Sequence, residues 1–220
     1  MNAAQRLQHV LKTIHQHAIQ QPVILVAVSK QRSVQDILEL YELGVRDFAE
    51  NRLEEAKKKT PLLPPDICWH WIGRIQTNKI SKILENFQFI QSVDSFEHAK
   101  MISRLSRHPI SLLLQANVSK EQSKAGFSAQ QWIDCFEQLL QLPHLKIQGL
   151  MTMAPHTQDL DVLKHCFGSL KKLQQQLQTL AQGRVDMATL SMGMSQDYII
   201  ALQEGATMVR IGRALFDSTI

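Results

Sequence analysis

PVILVAVSK, residues 22–30, is an almost unbroken apolar run that stops at a serine and a lysine. Val23, Val26 and Val28 are β-branched, and no polar residue alternates with them. Such a run reads as a strand of a parallel sheet, buried on both faces. A polar stretch and a helix start follow it. Lys30 therefore lies at the C-terminal end of the first strand, where α/β folds place their ligands. An amine in that place is able to form a Schiff base with an aldehyde or ketone. From position alone, a solvated lysine that merely closes the strand is the competing reading.

Outward from this strand the pattern alternates. Ser33-Val34-Gln35-Asp36 resembles a capping box and opens a helix that stops at Gly44. Strands are predicted at Val45–Phe48, Trp69–Ile72, Phe89–Val93, Ile110–Asn117, Lys146–Met151, Ala188–Ser191 and Thr207–Ile211. Helices are predicted between them: from about Asn51, at Thr77–Leu84, Ser95–Leu105, Ser128–Leu140 and Leu160–Ala181, and from a Ser195 cap to Gly205. In the long fifth of these, Leu163, Phe167, Leu170, Leu173, Leu177 and Leu180 are expected to face inward. The first residues, about 2–20, form an amphipathic helix with Leu7, Val10, Leu11 and Ile14 on one face. The pattern predicts an α/β fold: a single (β/α)8 TIM-type barrel domain over residues 1–220. A doubly wound open sheet is the alternative.

Composition narrows the function classes. The chain is 44% hydrophobic and 20% charged, ordinary for a soluble globular domain, with a net charge of +4. Its densest basic cluster, Lys57-Lys58-Lys59, follows Glu54-Glu55 and reads as a solvated helix end, so no nucleic-acid partner is expected. A mild positive balance suits a small anionic ligand. Cys68, Cys135 and Cys166 are odd in number and far apart, which argues for a reducing, cytoplasmic setting. No apolar run reaches membrane-spanning length, and no signal-peptide pattern opens the chain. Cys68-x-His70 and His165-Cys166 lack partners at zinc-site spacing, so no metal site is expected.

Two loops carry the chemistry. Leu190-Ser191-Met192-Gly193-Met194-Ser195 follows strand seven, and Arg210-Ile211-Gly212-Arg213-Ala214 follows strand eight. Small residues there let backbone N–H groups approach an anion, and barrels of this class commonly bind phosphate at these loops. Strands one, seven and eight are neighbours in a closed barrel, so Lys30 would lie within reach of what the phosphate carries. A phosphate, a carbonyl-reactive lysine and a nearby arginine together suggest pyridoxal 5′-phosphate (PLP).

VAVSK (26–30), FAEN (48–51), WHWIGRIQTNK (69–79), SVDS (92–95), SKAGF (123–127), GLMTMAP (149–155), LSMGMS (190–195) and MVRIGRALF (208–216) occur in order along the chain. In these stretches the chain resembles the pyridoxal phosphate homeostasis protein family. That resemblance implies the fold-type-III barrel also found in the N-terminal domain of alanine racemase. It implies that Lys30 holds PLP as an aldimine. Ser191, Met192, Gly212 and Arg213 would bind the phosphate, and Arg210 would face the pyridine nitrogen. Asn51, His70 and Lys124 would line the pocket, although a strand-end histidine bonded to backbone is an equal reading of His70. Ala49, Arg52, Arg213 and Asp217 depart from the usual family residues.

The expected function is PLP binding for intracellular homeostasis, without catalysis. The family resemblance carries that expectation, together with two sequence features. The chain stops shortly after strand eight, and its only tyrosines, Tyr41 and Tyr198, fall on predicted helices. No second base is then evident for two-base racemisation. The alternative is a racemase-like PLP enzyme, and a third reading is a regulator that senses PLP. PLP is the expected cofactor, apo PLP-enzymes are the expected acceptors, and the protein is expected to be monomeric.

Overall fold

The computed structural model describes residues 1–19, 22–119 and 125–217. Its strands are β1 (Ile24–Val28), β2 (Asp47–Glu50), β3 (Cys68–Trp71), β4 (Phe89–Val93), β5 (Ile110–Gln115), β6 (Leu145–Met151), β7 (Thr189–Ser191) and β8 (Met208–Ile211). All pair in parallel, in sequence order, and β8 returns to β1 to close the barrel. The open-sheet alternative is thereby excluded. The helices are α1 (Ala3–His17), α2 (Val34–Glu42), α3 (Leu53–Lys59), α4 (Ile80–Asn86), α5 (Phe96–Leu105), α6 (Ala129–Leu140), α7 (Leu160–Ala181), α8 (Tyr198–Gln203) and α9 (Arg213–Phe216).

Local chemistry starts the helices where the sequence placed them. Ser33 and Ser128 form full capping boxes with Asp36 and Gln131. The exception is Ser195. The turn before α8 is closed by Asp197 Oδ1, which accepts the Met194 N–H at 2.6 Å. Ser195 Oγ instead accepts the Ala214 N–H across to the next loop, at 3.3 Å. Two inward assignments also move. Leu11 is 48% exposed while Leu7, Val10 and Ile14 are buried, because 7, 10 and 14 hold the helical spacing and 11 drifts off the stripe. At the far end of α7, Leu180 is exposed and Ala181 takes the buried position. The strand expected at Val45–Phe48 starts two residues later, at Asp47. Between the predicted strand and α4, Thr77–Lys79 is a 3₁₀ turn.

The core has two parts, as strand alternation requires. One lies between the strands and the helical ring, with Phe48, Ile90, Leu112, Leu150, Trp132 and Phe167 among its members. The other fills the barrel, where Val26, Val28, Ala49, Phe89, Leu113, Met151 and Met208 cluster. Ala49 is one of the family departures, and its methyl is part of this plug. Outside the barrel, α1 packs against α2, α8 and α9 over the β8–β1 seam, and Arg6 Nε donates to Leu215 O at 2.6 Å.

Under the loop after β1 sits an ion pair. Glu50 is fully buried, and its Oε1 accepts from Ser29 Oγ at 2.8 Å and from Lys59 Nζ at 2.9 Å. Lys59 Nζ also donates to Ser29 O at 3.0 Å. Glu50 Oε2 has no partner among the described residues. Burial pushes the Glu50 carboxyl up, against the opposing pull of Lys59 and Ser29. A raised carboxyl favours folding most at acid pH and loses that advantage as pH rises through its folded-state value. Lys59→Met leaves this carboxylate buried without its cation. It should cost about 3 kcal/mol at pH 7. The loss should shrink between pH 7 and an acid pH below the raised folded-state value of Glu50, where the carboxyl is protonated. Urea melts of both proteins at the two pH values measure this; an equal loss at both would refute it.

Candidate active-site cleft

The C-terminal ends of the strands enclose a cleft of about 240 Å³. Its lining includes Lys30, Asn51, Arg210, Gly212 and Arg213, so five of the expected site residues meet in one place. Val28, Ile72, Met151 and Met153 give it apolar walls, and Met194, Ser195 and Gln196 complete it. Among the described residues, three cations and no carboxylate face this space.

Lys30 is placed by a turn at the end of β1. Ser29 N donates to Ala49 O at 3.0 Å, and Arg32 N returns to Ser29 O at 3.0 Å. Between them Gln31 takes a left-handed conformation, φ 60°, uncommon for a residue with a side chain. Gln31 N is held by Glu55 Oε2 at 2.9 Å. Lys30 is exposed, and its amine has no hydrogen-bond or ion-pair partner among the described residues. Arg32 pairs with Asp217 and lies 5.3 Å over the Phe216 ring. The departure at Asp217 thus ties the Lys30 loop to the end of α9.

The two anion loops differ from the sequence reading. Ser191 and Met192 lie in the barrel wall, fully buried, outside the cleft lining. Met192 N–H is spent on Met208 O at 3.1 Å. The loop reaches the cleft only with Met194, Ser195 and Gln196. The intervening Gly193 has φ +92°, and a Cβ there would lie 2.7 Å from the Ala201 Cβ. Gly193 is needed for the backward turn against α8. After β8, a Cβ on Gly212 would meet nothing closer than Val28 O at 3.5 Å. The protein itself therefore leaves room at Gly212, on the cleft side. The following helix, α9, is a single turn, so the expected helix dipole reduces to its first N–H groups.

Arg210 forms the floor, 3% exposed. Its Nη1 donates to Ser191 Oγ at 2.6 Å and its Nη2 to Thr152 O at 2.8 Å. Burial pushes its pKa down to about 10, which leaves it charged at neutral pH. The bonds continue downward in one direction. Ser191 Oγ donates to Gln91 Oε1 at 2.7 Å, and Gln91 Nε2 donates to His70 Nδ1 at 2.8 Å. That puts the imidazole proton on Nε2, 2.9 Å from Asp47 Oδ1. His70 is 1% exposed and stacks on Phe89, with ring centroids 4.8 Å apart. It sits beneath the cleft in the barrel interior, bonded to side chains and not to backbone. Gln91 lies outside the quoted motifs, and only the strand register, with every second residue inward, could have marked it; Thr152 falls within GLMTMAP but serves through its backbone oxygen. Asn51 Oδ1 is buried at the cleft wall with no hydrogen-bond partner among the described residues. Lys124 lies outside the described residues.

Comparison with known proteins agrees with this geometry. The alanine racemase N-terminal domain model matches residues 3–219. The pyridoxal phosphate homeostasis protein of Pasteurella multocida is 37% identical over 98% of this chain and 97% of its own. PipY of Synechococcus elongatus, solved without PLP, superimposes with a TM-score of 0.90 at 35% identity, covering 98% of this chain and 100% of that one. Its form with PLP bound gives 0.88 at 34% identity, with the same coverage. Alanine racemase of Clostridium difficile shares the fold, with a TM-score of 0.79 at 15% identity over 96% of this chain and 56% of its own. Matched over nearly its whole length by both the family model and relatives of this kind, the chain belongs to the pyridoxal phosphate homeostasis protein family.

Proposed function

We propose that this protein binds PLP in the Lys30 cleft, holds it covalently on Lys30 Nζ, and releases it to acceptor apo-enzymes without turning over amino acids itself. The observation that carries this reading is the convergence of Lys30, Arg210 and Arg213 on a cleft that no carboxylate faces among the described residues. The residues present fit the cofactor at two further points. The unpartnered Asn51 Oδ1 is an acceptor waiting for a donor. The gap at Gly212, tolerated by the protein's own packing, suits a bulky anion.

Bound PLP supplies an aldehyde for attachment and an electron-withdrawing ring. Lys30 would provide the amine, Gly212 and Arg213 would hold the phosphate, and Arg210 would serve the ring nitrogen. A guanidinium keeps its own proton, so the ring would be held as a weak electron sink. Ile72, Met151 and Met153 would exclude water from the bound ring. Catalysis of racemisation needs a base opposite Lys30. Neither tyrosine lines the cleft: Tyr41 OH donates to Asp66 at 2.7 Å, and Tyr198 packs in the core on α8.

Purified protein should carry PLP that borohydride fixes onto the Lys30 peptide, and Lys30→Ala should abolish the fixed adduct. Mixed with a PLP-requiring apo-enzyme, the loaded protein should restore that enzyme's activity. It should not exchange the α-proton of alanine. An undiminished adduct in Lys30→Ala would remove the assignment, and racemisation at ~1–1000 per second would favour an enzyme.

The phosphate contact makes a separate prediction. Gly212→Val should leave the fold intact, since its Cβ has room, yet weaken PLP binding by on the order of hundredfold. That is the loss of one to two charge-assisted hydrogen bonds at the lower part of ~1.5–3 kcal/mol each. Arg213→Thr should cost about tenfold at most, because a part-exposed charge is screened. Equilibrium titration of both variants decides; the opposite ranking would move the phosphate elsewhere.

A further inference from the structure

The opposite mouth of the barrel holds a second constellation. Asp47 and Cys68 are the first residues of β2 and β3, and they are Cα partners across the pair. His70, two residues beyond Cys68, points to the same side of its strand. One ligand atom from each of Asp47, Cys68 and His70 lies within 4.8 Å of the other two. The sequence offers Cys68-x-His70 without a third ligand; the strand register supplies it from β2.

Two features go beyond proximity. His70 is aimed: Gln91 holds its Nδ1 and Phe89 holds its plane, leaving Nε2 toward Asp47. Metal-ligating histidines are commonly oriented by a bond at the other ring nitrogen, usually one the ring donates; here Gln91 donates into Nδ1, so the bond fixes the ring plane and must reverse when an ion binds. Asp47 is about one-third exposed and Cys68 is part-exposed, so an ion has a way in while His70 stays dry.

We propose that Asp47, Cys68 and His70 form a zinc-type site at the N-terminal mouth of the barrel. A mixed O, S and N donor set suits a borderline divalent ion, with water as the fourth ligand. On binding, the thiol proton leaves to solvent. The imidazole keeps one proton, which moves from Nε2 to Nδ1; the Gln91 amide turns over so that its Oε1 accepts that proton and its Nε2 donates to Ser191 Oγ, and the Ser191 hydroxyl proton turns away from Gln91. The site lies across the barrel from Lys30 and does not depend on the reading of the cleft.

The test is titration of the full-length protein with cobalt(II), read as a difference spectrum. A thiolate-to-cobalt charge-transfer band should saturate at one equivalent, and zinc should bleach it. Cys68→Ser should abolish the band and Cys135→Ser should retain it. Asp47→Asn, at the exposed rim, should weaken cobalt binding by roughly tenfold or more. Should Cys68→Ser fail to fold, X-ray absorption of the zinc-loaded wild-type protein decides, with one sulfur at about 2.3 Å expected. No saturable band in the wild type, a band that survives in Cys68→Ser, or a zinc shell without sulfur would overturn the proposal.

Discussion

The buried guanidinium of Arg210 is the constraint on which the barrel interior depends. A charge taken this far from water is costly unless its N–H groups are bonded. Ser191 Oγ and Thr152 O meet that need. Ser191 must then turn its own proton toward Gln91, Gln91 its amide N–H toward His70, and His70 its remaining proton toward Asp47. Each residue in this line has its donor and acceptor roles set by the one before. The interior of a small barrel is usually filled with branched apolar side chains. Here part of that volume is given to a directed polar chain, and the apolar plug of Val26, Phe89, Leu113 and Met208 surrounds it.

At the rim, the same economy places Lys30. The lysine needs no partner of its own because its backbone is fixed from three sides. Ala49 O holds Ser29 N, Glu55 holds Gln31 N, and the Glu50–Lys59 pair packs under Ser29. The left-handed Gln31 is the strained element in this arrangement. An amine on such a turn, facing arginines and apolar walls, fits the proposed attachment of a small anionic carbonyl compound. The departures from the family pattern fit around it. Ala49 fills the plug, Arg52 pairs with Glu55 at 3.2 Å, and Asp217 pairs with Arg32. Only Arg213 reaches the cleft.

Much of this was legible in the amino-acid order alone. The run from Pro22 to Lys30, the capping boxes at Ser33 and Ser128 and the long stripe of α7 each depend on residues within a few positions of one another. Local propensity therefore suffices to fix them, and eight strands alternating with helices leave few ways to close. The order of motifs carried the family, and with it Lys30, Asn51, Arg210, Gly212 and Arg213 as a group. Tertiary structure alone decided which neighbours the inward residues meet. Ser191 and Met192 sit in a motif that suggested phosphate, yet the β7–β8 register spends the Met192 N–H on Met208 and turns Ser191 toward Gln91. His70 lies below the cleft because its strand position aims it at Gln91 and Asp47. Asp47 joins Cys68 because β2 and β3 pair at that register. These contacts join residues some twenty to a hundred positions apart, and no local pattern encodes a pairing made only when the barrel closes.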